Sequence, residues 1–116
     1  MINRDLQERL FKFAKDIIIL LRLLPKSPEY TVITFQLIKS TTSSGANYEE
    51  SQAAVSTADF NNKIGIALKE MRETNYWIRL LMSIQESPEK WIYVEKVSEE
   101  LKKILGSIYS KTSTHR

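Results

Sequence analysis

The chain has 116 residues, with 17 Lys+Arg against 14 Asp+Glu, one His, no Cys, three Gly and three Pro. That length suits one domain able to bury a core without disulfide or metal staples, and so little Gly and Pro excludes a collagen-like chain. The missing Cys excludes a disulfide framework and a zinc ribbon, and 42% hydrophobic residues exclude a disordered tail.

Charge is unevenly spread. Residues 1–26 carry six basic and three acidic side chains, residues 27–100 seven and eleven, and residues 101–116 four and none. Two basic ends therefore flank an acidic middle, a pattern compatible with a polyanionic partner. The most apolar run, Ile17 to Leu24, is interrupted by Arg22 and stopped by Pro25, well short of the roughly 20 apolar residues that a membrane span needs. With no apolar leader core after Met1 and no Cys, the expected location is the cytoplasm, with no membrane contact.

Four helices are predicted in chain order. Asn3 can cap the first, which should end at Leu24 because Pro25 disfavours helical geometry in the residue before it. Ser27-Pro28-Glu29 supplies an N-cap, a proline for the first helical position and an acid for the positive dipole end, opening a second helix to about Glu50. Ser56 or Thr57, with Asp59 behind it, opens a third to about Gln85. Ser87-Pro88-Glu89 repeats the signature for a fourth, to about Ser110. Residues 111–116 are expected to fray. No strand-like alternation bounded by turn signals occurs. Long helices joined by short loops pack as antiparallel neighbours, so the expected fold is all-α, an up-and-down four-helix bundle over residues 1–110.

Helical periodicity assigns the faces. Leu6, Leu10, Phe13, Ile17, Leu20, Leu21 and Leu24 share one stripe of the first helix, with Arg4, Lys12, Lys15 and Arg22 opposite. A charged stripe opposite a core face is usually a solvated face; here, with Lys102 and Lys103, it is also a candidate contact for nucleic acid. On the second helix Ile33, Leu37, Thr41, Ser44 and Tyr48 share a face, so small hydroxyl residues point at the core, and Gly45 suggests close helix approach. The third helix has two apolar arcs. Phe60, Ile64, Leu68, Met71, Ile78 and Met82 form the core arc, and Ile66, Trp77, Leu81 and Ile84 form another. A small isolated bundle needs only one stripe per helix, so the second arc marks a candidate subunit interface. Glu70 and Glu73 lie within it, and with Asn47 and Arg79 they are expected to form a polar layer that sets register.

The run Gln36 to Glu50, then Ala58-Asp59-Phe60, Lys63 to Glu70 and Glu73 to Leu81, resembles the bacterial four-helix-bundle family first noted as proteins encoded in ribosomal-RNA intervening sequences. That family also includes the accessory variability proteins of diversity-generating retroelements. The resemblance spans about Leu6 to Ile108 and implies an antiparallel bundle assembling as a homo-oligomeric ring, a homopentamer. The retroelement members bind a reverse transcriptase and nucleic acid, RNA or DNA, through a strongly basic pentamer surface. This chain departs from them in its acidic middle and mild net charge.

Catalytic chemistry finds no foothold. Ferritin-like bundles need Glu-x-x-His pairs, and the one His is His115 in the tail. Glu70 and Glu73 without an imidazole make a poor transition-metal site. There is no Cys, no usable His to activate a Ser and no Gly-rich phosphate loop. The sequence therefore points to a non-enzymatic interaction scaffold with no catalytic residue, cofactor or metal. The alternative is a nucleic-acid-binding accessory factor.

Overall fold

A computed structural model describes residues 4–114 as four helices: α1 (Arg4–Leu21), α2 (Pro28–Ser51), α3 (Thr57–Ile84) and α4 (Glu89–Thr114). α1 packs on α2 and α4, and α3 packs on α2 and α4, while the diagonal pairs do not meet. This is the up-and-down antiparallel bundle, with molecular extents of 46 × 21 × 19 Å. Among the described residues there is no strand, and no helix is long and apolar enough to cross a membrane.

The expected caps account for two helix starts. Ser27 is the N-cap of α2, its hydroxyl accepting from the Tyr30 amide with Pro28 in the first turn. Ser56 caps α3, accepting from the Asp59 amide at 3.0 Å while Asp59 Oδ2 accepts from the Val55 amide at 3.2 Å, two otherwise orphaned donors satisfied by one turn. The Asn3 cap lies outside the described residues.

Three boundaries differ from expectation. α1 stops at Leu21 rather than Leu24, because the turn before Pro25 tightens: the Leu23 and Leu24 amides donate to the Leu20 and Leu21 carbonyls. α4 starts at Glu89, so Pro88 precedes the helix, its carbonyl accepting from the Trp91 amide at 2.8 Å. The supposed frayed tail is helical through Thr114, tied down where Thr112 Oγ1 donates to the Ile108 carbonyl and Ser113 Oγ to Asn61 Oδ1.

The core holds Leu6, Leu10, Phe13, Ile17 and Leu21 of α1, as the stripe predicts, with Leu20 and Leu24 half-buried at its edge. On α2 the whole predicted face, Ile33, Leu37, Thr41, Ser44 and Tyr48, is buried. Burial also pushes the Tyr48 phenol pKa up, since the ionised form would be poorly solvated there.

The two glycines of the central layer behave differently. A Cβ on Gly45 would meet Leu10 Cβ at 3.7 Å, an ordinary contact, so close approach does not require glycine there. A Cβ on Gly65 would stand 2.9 Å from Tyr109 Cε1. Gly45→Ala should therefore stabilise the protein by about 1 kcal/mol, the helix-propensity difference, whereas Gly65→Ala should gain less because the Tyr109 ring has to move. Thermal and denaturant unfolding of the two variants beside the parent would check this ordering.

Candidate functional site

The α2–α3 seam is where polar chemistry is buried. Thr74 Oγ1 donates to the Glu70 carbonyl at 2.9 Å, which spends its only proton. Ser40 at 2.8 Å and Thr41 at 3.3 Å therefore act as donors to the same oxygen. One turn on, Ser44 Oγ donates across to the Ala67 carbonyl at 2.8 Å. A second chain of bonds joins α3 to α4: Arg79 Nε donates to Asn75 Oδ1 at 2.9 Å, Asn75 Nδ2 to Ser98 Oγ at 2.9 Å, and Ser98 Oγ to the Glu95 carbonyl at 2.7 Å. Among the described residues no buried side-chain nitrogen or oxygen lacks a partner. Apart from Arg79, which is exposed, these side chains are satisfied and enclosed, so they hold the fold.

The expected polar layer of Asn47, Glu70, Glu73 and Arg79 does not come together. Asn47 Nδ2 bonds back to the Ser43 carbonyl on its own helix, Lys63 pairs with Glu50 at 3.1 Å, and Arg79 is engaged by Asn75. Glu73 instead accepts from Trp77 Nε1 at 3.1 Å, one turn along. The residues that do form buried polar layers, Thr74, Asn75 and Ser98, escaped the sequence reading. Their available signal was spacing, since Thr74 and Asn75 follow the buried Ala67 and Leu68 by seven residues each.

Leu81 is the clear correction in the second arc of α3. It is 0% exposed, because it continues the α2-facing row Ala67, Thr74, Leu81 at seven-residue steps, and so belongs to the chain's own core. Ile66 and Trp77 are half-buried and Ile84 is 43% exposed, leaving an outward strip from Ile66 through Glu70, Glu73 and Trp77 to Ile84. Tyr76 flanks it, its ring edge-on to Trp77 at 5.1 Å and under the Arg79 guanidinium.

The basic candidates scatter. Lys12 donates to Asp16 at 2.7 Å on the α4 side of α1, close to Tyr93; that bond raises its pKa. Lys102 donates to Glu99 at 2.6 Å on α4, and this bond leads the causes that hold the Glu99 carboxyl below its ordinary value. Lys103 is exposed. The Arg4 side chain lies outside the described residues. Among the described candidates, Lys15 and Arg22 come together: both line a groove of about 690 Å³ between α1 and α2. Its walls include Phe11, Ala14, Ile18, Ile19, Gly45 and Ala46, and Glu49 stands at the rim. Phe11 is 69% exposed there, a large apolar surface left in water.

Among the described residues no three His, Cys, Asp or Glu side chains cluster as a metal site. His115 lies outside them.

Comparison with known proteins agrees with this architecture. The family model described as 23S rRNA-intervening sequence protein matches residues 3–107. A crystal structure of a protein of unknown function from the S23 ribosomal protein family of Bacteroides thetaiotaomicron superposes with a TM-score of 0.81 at 37% identity, covering 90% of this chain and 97% of that one. No functionally curated protein matches.

The seam gives a direct test. Thr74→Val removes the shared acceptor of Ser40 and Thr41 and should cost roughly 1–2 kcal/mol, softened by the fallback bond from Ser40 to the Leu37 carbonyl. Thr112→Val, which loses only a local bond to Ile108, should fall within about 0.5 kcal/mol of the parent. Urea unfolding of both variants measures the contrast.

Proposed function

The chain belongs to the 23S rRNA-intervening sequence protein family, and from that premise we propose that it is a non-enzymatic interaction scaffold that works as a homo-oligomeric ring, a pentamer on the family resemblance. The observation that carries this reading is the outward strip of α3. Ile84 is exposed and Ile66 and Trp77 are half-buried, Trp77 packing in part against the bundle core, so the strip keeps apolar surface facing outward, and a Trp held by its own i−4 Glu is positioned rather than free. The bundle interior supports a structural role too, since its polar groups are consumed by helix-to-helix bonds.

Nucleic-acid binding through Arg4, Lys12, Lys15, Arg22, Lys102 and Lys103, or partnership with a reverse transcriptase, is the second reading. It draws support from the exposed Lys15, Arg22 and Lys103, and is weakened by the carboxylate partners of Lys12 and Lys102. Affinity of that kind comes from several phosphate contacts releasing counterions.

Two measurements separate the readings. Trp77→Glu and Ile84→Glu should each shift the light-scattering mass to 13.5 kDa while circular dichroism stays helical; an unchanged mass in both would remove α3 from the interface. The parent protein should bind single- or double-stranded RNA and DNA no better than the 10⁻⁴–10⁻⁶ M typical of non-specific contact. Tighter binding that falls steeply with salt would favour the accessory-factor reading.

A further inference from the structure

The outward strip of α3 needs a receiving surface, and the α1–α2 groove has the matching chemistry. The groove presents Phe11, Ile18 and Ile19 with the cations Lys15 and Arg22 on its α1 wall and Glu49 on its α2 wall, and the strip presents Ile66 and Trp77 with the anions Glu70 and Glu73. Apolar surface faces apolar surface, and the charges at the centre are opposite in sign.

Height along the bundle matches as well. Leu10 lies against Gly45, and the adjacent Ser44 donates to the Ala67 carbonyl, so Leu10 and Ala67 stand at one level. α1 and α3 run in the same direction, each climbing about 1.5 Å per residue. Counting up from that level places Phe11 beside the span Ile66 to Glu70, Lys15 between Glu70 and Glu73, and Ile19 beside Tyr76 and Trp77. In a closed ring whose bundles stand parallel to the symmetry axis, each copy is turned about that axis without sliding along it, so groups at equal height are the ones that meet.

The two faces also lie at a useful angle. The groove sits on the α1 side of α2, and Glu70 and Trp77 lie beside the α2-facing row of α3, three residues after Ala67 and four before Leu81. Both faces thus flank α2 instead of standing back to back. Repeated contacts of this kind turn the same way, the condition for closing a ring, where back-to-back faces would extend a filament.

We propose that the α1–α2 groove of one copy receives the α3 strip of the next, with Lys15 meeting Glu70 and Glu73 of that copy and Ile19 meeting its Trp77. This rests on the self-association proposed above and names the surface that completes it.

The test is a charge exchange. Lys15→Glu and Glu70→Lys should each weaken assembly by about tenfold, measured by sedimentation across a dilution series, and the combined variant should recover most of the loss. A monomeric parent would overturn self-association and this pairing together. A parent that assembles while neither single reversal weakens it, or while the combined variant fails to recover, would overturn the pairing and leave self-association standing. The absence of native Cys permits a second, fold-independent readout. Oxidised Lys15→Cys/Glu70→Cys should give a covalent ladder beyond the dimer, and Glu70→Cys alone should give none. A dimer from Glu70→Cys alone would mean that α3 packs on α3, contrary to the proposal.

Discussion

The hydroxyl cluster between α2 and α3 is the constraint on which the rest of the structure depends. Ser40 and Thr41 converge on Thr74, and Ser44 reaches the Ala67 carbonyl, so the two central helices are joined by bonds whose partners are all enclosed. Such a cluster tolerates little slippage. Moving α3 by one turn along α2 would leave buried hydroxyls without acceptors, at a cost greater than any one of the bonds contributes. Apolar surface alone would permit several registers; the hydroxyls select one.

That fixed register decides which α3 residues face outward. With Ala67, Thr74 and Leu81 turned into the seam, Ile66, Glu70, Glu73 and Trp77 are held on the outer flank at set heights. On the other side of α2, Leu10 rests on Gly45 and places Phe11, Lys15 and Ile19 at heights that match the strip. A single buried polar layer thereby organises two surfaces that never touch within one chain. The Asn75–Ser98 bond does for α4 what Thr74 does for α2, and the exposed ion pair of Arg9 with Glu100 joins α1 to α4 only at the rim, where such pairs contribute little.

Much of this was legible in the sequence, for identifiable reasons. Ser-Pro before α2 and Ser56 before α3 announce the helix starts, and the spacing of Leu6, Leu10, Phe13 and Ile17 announces the core of α1. What stayed hidden was the choice between burial and exposure where a helix has two apolar arcs. Leu81 sits between them on the helix, and only the position of α2 assigns it to the core while Ile84 remains outside. The same ambiguity concealed Thr74 and Asn75, because a polar residue in a helix usually means solvent until a neighbour supplies its partner. The placement of the basic residues was hidden for a related reason: helical angle groups Lys12 with Lys15, but Lys12 lies with Asp16 on the α4 side of α1 and Lys15 on its α2 side.

The central claim is that two unlike faces of one chain fit each other. Its most direct test is the absolute mass of the unmodified protein by light scattering over a wide range of concentration. The expected result is a closed assembly of at least three 13.5 kDa chains, constant in mass until dilution dissociates it. A protein that stays at 13.5 kDa at every concentration would contradict the account, and so would one that stops at a two-chain dimer.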